Sequence, residues 1–460
     1  MNPFRHFSKS KIAIKKIAVQ AIITPAIALF CTQIAYAALP IEHWTQASGA
    51  QVYLVQSPAI PMLDVQLDFD AGSRRDPLEK AGLASVTALM LSKGVTANAR
   101  HPALDENQLS EAWADLGASF SASAGADRMS LSLRSLTYPD LLGQATELAA
   151  RQIGQAAWPA TIWQRERERL NAAIKEANTR PAVLAERAFE QAVYGAHPYG
   201  FDTTEVSLAS ISVADMQAAY AAQVQPCRAK VSLVGAVSRV QADALVSALL
   251  QHLPASACPL LPVVAEVEPL RQAVDQRIAF DSAQAHVLIG QPGYKRDDPD
   301  FFPLLVGNYI LGGGGFVSRL THEVREKRGL SYSVYSNFSP GSHAGAFTLG
   351  LQTRPDQAVQ AVQVSKDVLA KFVLEGPTEL ELQAAKDNLI GGFALRIDSN
   401  RKLLDNVANI AWNKLPLTYL DTWTQQIAKV TTAQVKAAFQ RKLKPGKMVT
   451  VVLGGEGGVQ

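Results

Sequence analysis

The chain has 460 residues, of which 48% are hydrophobic and 18% are charged. This composition excludes a disordered chain, and the length is that of roughly two to three ordinary domains. The formal net charge of +3 depends on a basic segment at the N-terminus.

The first 37 residues have the order of a secretory signal. Five basic residues precede the first carboxylate, Glu42, and an apolar run follows from 17 to 30. Ala35 and Ala37 are the small residues that a signal peptidase reads. A membrane anchor is the alternative, but the apolar run is shorter than the roughly 20 residues that a spanning helix needs. We expect cleavage before Ala38, and hence a periplasmic or secreted protein without membrane contact.

Removal of residues 1–37 changes the charge balance. It leaves 39 of the 44 basic residues against 41 acidic ones, a net charge of −2. A near-neutral chain lacks the basic surplus that nucleic-acid binding requires. The remaining chain keeps Cys227 and Cys258, which in an exported protein either form a disulfide or stay as buried thiols.

In chain order, the first readable element after the signal is a strand at 63–69. Its apolar residues alternate with polar ones, which predicts one face in the core and one in water. Residues 81–93 predict a mostly apolar helix that ends at Gly94. A second alternating strand covers 129–133. Helices are predicted next, at about 140–156, 160–178 and 182–194.

The later part of the chain repeats the earlier part. Residues 214–220 (ADMQAAY) match 433–439 (AQVKAAF) at an offset of 219, and the strand at 129–133 matches one at 347–351 at an offset of 218. Thr378 and Glu381 form a capping box at the start of a matching helix. Aligned segments in one order indicate a duplication.

The duplication sets the predicted domain organisation. A signal peptide at 1–37 precedes an N-terminal domain at 38–253, a proline-containing linker at 254–270 and a C-terminal domain at 271–460. Strands paired in a sheet with grouped helices are typical of an α+β fold. We predict two homologous α+β domains, each an antiparallel-type sheet with helices packed on one face.

Three stretches carry a resemblance to a known family: 81–94, 197–200 (HPYG) and 311–335. The last contains the glycine run 312–315 and the segment EVREKRGLSYSVY at 323–335. On these stretches the chain resembles the pitrilysin/insulinase family of zinc metallopeptidases, in the form built from two-domain subunits. The duplication agrees with that form.

The family's zinc site is an H-x-x-E-H motif, in which two histidines bind the metal and the glutamate is the general base. The resemblance places these three positions at Ser85, Ala88 and Leu89, and the distal glutamate ligand at Ala173. None of these side chains can hold zinc, and the chain contains no H-x-x-E-H or H-E-x-x-H motif. We expect no cofactor in this chain, and the resemblance implies zinc in a partner subunit.

Arg325 and Tyr332 have the spacing of a family pair that binds substrate and stabilises the oxyanion. A guanidinium and a phenol are suitable donors where negative charge develops. From the residues alone, the alternative interpretation is that Arg325 belongs to a charged helix end and that Tyr332 is an aromatic residue of the core. An alignment of 117–121 with 329–333 puts Phe120 at the position of Tyr332.

The glycine run is not a phosphate loop, because no Gly-Lys-Ser/Thr follows it. It is either a flexible turn between helices or a close approach to an extended peptide. The family favours the second, with Gly313, Gly314 and Gly315 binding substrate. The segment at 197–200 reads as a surface turn rather than as a metal-binding or acid–base histidine.

Two functions follow from these observations. The first is a catalytically incomplete subunit of a heteromeric periplasmic metallopeptidase. It would form a heterodimer with a homologous H-x-x-E-H-bearing subunit, complete its peptide-binding chamber and supply Arg325 and Tyr332 in trans. Such a chain is not expected to be active alone. The alternative is a non-enzymatic scaffold or peptide-binding protein of the same fold.

Overall fold

A computed structural model describes residues 40–254 and 258–455 of the chain. The predicted signal peptide at 1–37 lies outside the described residues. The contacts group the described residues of both halves into one unit. The domain boundaries at 253 and 271 therefore stay predictions.

The first half contains eight strands and eight α-helices within the described residues. In chain order they are β1 (Glu42–Thr45), β2 (Gln51–Gln56), β3 (Met62–Phe69), α1 (Leu83–Met90), β4 (Gly94–Val95), β5 (Leu104–Asp105), α2 (Glu106–Asp115), β6 (Ser119–Ala124), β7 (Met129–Leu136), α3 (Pro139–Gly154), α4 (Ala160–Ala177), α5 (Pro181–Tyr194), α6 (Glu205–Ser210), α7 (Val213–Gln223), β8 (Lys230–Gly235) and α8 (Arg239–Leu250).

The second half has a similar order of strands and helices. Its elements are β9 (Val274–Ile278), β10 (Ala285–Tyr294), α9 (Phe301–Asn308), β11 (Val334–Phe338), β12 (Gly345–Thr353), α10 (Ala358–Glu375), α11 (Glu379–Gly391), α12 (Asn400–Trp412), α13 (Tyr419–Lys429), α14 (Thr432–Lys442) and β13 (Val449–Leu453). Two π-helical segments, Tyr309–Gly313 and Thr321–Glu326, lie between α9 and β11.

Each half is built on one mixed sheet. The strand order is β1-β2-β8-β3-β7-β6 in the first sheet and β11-β12-β10-β13-β9 in the second. Each sheet has one parallel pair, β2 with β8 and β9 with β13, and its other pairs are antiparallel. The predicted fold of two homologous domains with sheets and packed helices is confirmed.

The two halves exchange one helix each. Helix α5 of the first half packs on β10 and β13, where Phe189 shares an apolar cluster with Val449 and Val451. Helix α12 of the second half packs on β8 and β3, where Leu404 and Val407 join Val55 and Val234. Each sheet is thus covered on its second face by a helix from the other half.

Because of this exchange, the prediction that one face of β3 contacts water is wrong. Asp64, Gln66 and Asp68 are 1%, 7% and 0% exposed, because α12 lies over them. Arg134 donates to Asp64 at 2.6 Å and Arg128 donates to Asp68 at 3.0 Å. Burial raises the pKa of Asp68, although Arg128 opposes the shift. The alternating polar residues of β3 therefore form a buried polar layer under α12.

Two local predictions are also wrong. Helix α1 ends at Met90, and Gly94 begins β4 with a φ of +123°. His197 is buried at the junction of the two halves, where its Nδ1 accepts from the Tyr199 N–H and the Tyr199 hydroxyl donates to Asp127. Asp127 also accepts from the backbone N–H of Ser342, so this segment joins the halves and is not a surface turn.

The cysteine question is resolved in favour of the bridge. Cys227 and Cys258 form a disulfide across 31 residues of sequence, with Cα atoms 6.3 Å apart. It ties the start of the predicted linker to the first half. Within the described ranges, no helix has the length and apolar character needed to cross a bilayer.

Candidate functional site

The helix that would carry the zinc motif is α1. The buried carboxylate of Asp76 accepts hydrogen bonds from the backbone N–H groups of Gly82 and Ala84 and so fixes the start of the helix. Burial raises the pKa of Asp76 to about 7, against these hydrogen bonds. Helix α1 is therefore well anchored, but its motif positions carry no side chains that could bind zinc.

The side chains at the zinc positions do not fit the metal. Ser85 is exposed, Ala88 is buried and Leu89 is half-buried, while Ala173 on α4 is exposed. Zinc in proteins takes thiolate, imidazole or carboxylate ligands, and a methyl or isobutyl group offers no lone pair. Within residues 40–254 and 258–455, no cluster of three or more His, Cys, Asp or Glu side chains could hold a metal ion.

Glu166, seven residues before Ala173 on α4, is engaged in ion pairs. Its carboxylate lies 3.1 Å from Lys93 Nζ, 2.7 Å from Arg165 Nη2 and 2.8 Å from Arg169 Nη2, and the side chain is buried. Burial alone would raise the pKa of Glu166, but these three cations hold it at about 2. Glu166 is thus a structural anion that ties α4 to the segment after α1.

Arg325 and Tyr332 come together in the structure. Arg325 lies in the second π-helical segment, and its Cζ is 4.9 Å from the centroid of the Tyr332 ring. Tyr332 is 83% exposed, so it is not the core aromatic that the residues alone allowed. Single-turn π segments often occur at functional sites.

Arg325 differs from its charged neighbours because no carboxylate among the described residues pairs with it. Glu323 accepts from both Lys327 and Arg328, which lower its pKa to about 2. His322 is likewise 2.9 Å from Glu326. Among the described residues, no ion pair or hydrogen bond engages the Arg325 guanidinium, so its N–H donors remain free for a ligand.

The glycine run starts at the end of the first π-helical segment, Tyr309–Gly313, and continues into the turn before the second one. Gly312 is buried, and a Cβ there would meet the Ser336 backbone nitrogen at 2.4 Å. Gly315 has a φ of +62°, a left-handed conformation that favours glycine. Phe316 follows, and its ring centroid lies 4.8 Å from Arg325 Cζ. Sequence reasoning missed Phe316; the available signal was a large aromatic directly after four glycines.

The strand registers correct the alignment of Phe120 with Tyr332. Phe120 pairs with Leu133, and Val334 pairs with Leu351. Since Leu133 and Leu351 are equivalent at the offset of 218, Val334 occupies the place of Phe120. Tyr332 has its place two residues earlier, before β11 begins.

Comparisons with known proteins give one consistent result. A family model described as insulinase (peptidase family M16) matches residues 51–205, and one described as the peptidase M16 inactive domain matches residues 210–389. The crystal structure of a peptidase M16 inactive domain from Pseudomonas fluorescens is 34% identical with a TM-score of 0.85, covering 90% of this chain and 98% of that one.

Two relatives are similar over shorter stretches. An uncharacterized zinc protease of Streptomyces coelicolor is 35% identical over 162 residues, 35% of either chain. The non-peptidase homolog YmxG of Helicobacter pylori is 35% identical over 159 residues, 34% of this chain and 36% of that one. The chain thus aligns with about a third of the length of these two relatives.

Proposed function

Because the chain belongs to the insulinase family, peptidase family M16, we propose that it is a catalytically incomplete subunit of a heteromeric periplasmic metallopeptidase. The observation that carries the proposal is the contrast between its two candidate sites. The zinc positions hold residues that cannot bind zinc, whereas Arg325 has no ion-pair partner among the described residues and stands beside the exposed Tyr332. A homologous subunit with an H-x-x-E-H motif would supply the metal.

In this arrangement the H-x-x-E-H residues of the partner subunit would hold the zinc, which would supply Lewis-acid activation of water and of the scissile carbonyl. Arg325 and Tyr332 act from the facing chain. Their N–H and O–H donors bind the carbonyl oxygen of an extended peptide and stabilise the negative charge that develops there. That no described carboxylate pairs with Arg325 matters here, because an internal ion pair would compete with the substrate.

Peptide is the substrate class that suits the surface. Strand β6 is an edge of the first sheet, with one side of its backbone unpaired in the described structure, and an extended peptide can add to such an edge through main-chain hydrogen bonds. Gly313, Gly314 and Gly315 give the loop beside Arg325 a backbone without side-chain bulk. These features support binding with little dependence on peptide sequence.

Export to the periplasm is part of the proposal. The Cys227–Cys258 disulfide supports it, because disulfides form and persist in oxidising compartments. The predicted signal peptide at 1–37 supports it as well.

The test is a peptidase assay on the chain from Ala38, mixed with the H-x-x-E-H-bearing homologue from the same organism. We expect the mixture to cleave a quenched fluorescent peptide. Arg325→Ala should lower kcat/KM by roughly 10²- to 10³-fold, and Tyr332→Phe should lower it less. The controls are Arg354→Ala and Tyr138→Phe, which change an exposed arginine and an exposed tyrosine elsewhere on the chain. Because surface substitutions of this kind have small effects, kcat/KM should change by less than about 2-fold in either control.

The alternative function, a scaffold or peptide-binding protein, makes a different prediction. If the two chains form a stable complex but the mixture does not cleave peptide, the scaffold is favoured. If the mixture is active and Arg325→Ala leaves kcat/KM unchanged, the role of Arg325 in trans is wrong.

A further inference from the structure

Phe316 is an exposed aromatic residue whose ring lies beside the side chain of Arg325. It leaves 72% of its surface in contact with solvent, yet its ring centroid lies 4.8 Å from Arg325 Cζ. Large apolar side chains are normally buried, since apolar burial is favourable. A cation within about 6 Å of a ring centroid is attracted by the ring's quadrupole. The ring is therefore held beside the guanidinium without entering the core.

Arg325 depends on such contacts for its orientation. Its guanidinium has no ion pair or hydrogen bond to any described residue, and it lies beside the rings of Phe316 and Tyr332. A long arginine side chain without a fixed partner samples many rotamers. Two aromatic rings restrict it, and they use none of its five N–H donors.

The backbone of the glycine run brings Phe316 to this position. Gly312 packs against the Ser336 backbone so closely that a Cβ would not fit, which anchors the base of the loop. Gly315 then turns the chain through a positive φ, and no described atom lies within 4 Å of a Cβ at that position. The tight glycine fixes the loop, and the turning glycine places the next residue beside Arg325.

We infer that Phe316 is a positioning residue for Arg325: its ring holds the guanidinium with the donors free for a substrate carbonyl. This inference rests on the proposed function for its catalytic consequence, although the contact itself does not. It also gives the glycine run a role beyond substrate binding by its backbone, since the run places an aromatic ring.

The contact can be tested on the chain alone, by NMR of ¹³C,¹⁵N-arginine side chains. In the unsubstituted protein, ring currents should shift the Arg325 side-chain signal, which Arg325→Lys identifies by its loss. Phe316→Leu should move that signal towards the values of a free arginine. Phe316→Tyr should keep it, and Val317→Ala, a change at the neighbouring exposed residue, should leave it in place. An Arg325 signal that is unaffected by Phe316→Leu would overturn the inference.

The consequence for activity is tested in the two-subunit mixture. Loss of one exposed cation–π contact corresponds to roughly a 2- to 5-fold change, which we expect in kcat for Phe316→Leu with recovery in Phe316→Tyr. In an Arg325→Ala background, Phe316→Leu should have no further effect, because the residues act as a unit. An equal effect in both backgrounds would contradict positioning through Arg325. An inactive unsubstituted mixture would instead count against the proposed function, and the NMR result would still decide the contact.

Discussion

Removal of the disulfide is the perturbation whose size can be calculated most directly. Cys227→Ser with Cys258→Ser opens a loop of 31 residues. Closing such a loop in the unfolded chain costs about 12 cal/mol/K of entropy, or about 3.7 kcal/mol at 25 °C. The bridge joins the turn before β8 to the linker, so the loss should be felt mainly in the first half.

Thermal unfolding of the chain from Ala38 measures this effect. Unfolding entropy is about 2.1 cal/mol/K per residue, so 3.7 kcal/mol corresponds to a fall in Tm of roughly 4–8 °C, the smaller value if both halves unfold together. The control is internal, since Cys227 and Cys258 are the only cysteines after residue 37. Reduced unsubstituted protein and the double variant should agree. A Tm that neither reduction nor substitution changes would refute the pairing.

Two further predictions concern the packing of the halves and the ion pairs of α4. Phe189→Ala should lower the free energy of unfolding, measured in urea, by about 3–5 kcal/mol, because the ring is 2% exposed and packs against Gly290 of the second sheet. Leu380→Ala, at an 81% exposed position, should change this free energy by less than about 0.5 kcal/mol. Equal effects of the two substitutions would contradict the helix exchange. Glu166 has its pKa lowered from 4.5 to about 2, so it contributes up to about 3 kcal/mol above pH 4.5, which is lost as pH falls towards 2. Glu166→Gln should therefore be less stable at pH 7 and converge with the unsubstituted protein by pH 2, and parallel pH profiles of the two would contradict this account.

The duplication could be found from the sequence because equivalent elements kept their order and their apolar spacing. The repeat at 214–220 and 433–439 falls on α7 and α14, and the capping box at Thr378 does begin α11. These are local signals, in which periodicity and capping depend on residues close in the chain. They predicted the strands β3, β7 and β12 and the helices α3, α4 and α5 to within a few residues.

The exchange of α5 and α12 could not be found in this way. Alternation along β3 shows that Asp64 and Asp68 share a face, but not that a helix more than 300 residues later covers it. Burial of these carboxylates depends on that remote helix and on Arg128 and Arg134 across the strands. The same limit applies to His197, whose burial depends on contacts with the second half.

The candidate site was predicted in part. The resemblance implied that Arg325 and Tyr332 act as a pair, and the structure places the two side chains close together. The contact of Phe316 with Arg325 arises from a loop and a π-helical segment, for which no periodic pattern exists. The misalignment of Phe120 arose because a two-residue shift before β11 is invisible without the strand register.

The zinc content of the purified chain tests the central claim most directly. The chain from Ala38 would be dialysed against buffer with excess zinc and then against metal-free buffer, and its zinc would be quantified together with cleavage of a peptide substrate by the chain alone. With Ser85, Ala88, Leu89 and Ala173 in the ligand positions, we expect far less than one zinc per chain and no chelator-sensitive cleavage. One zinc per chain, with cleavage that a chelator abolishes, would show that this chain is a complete peptidase and that the account is wrong.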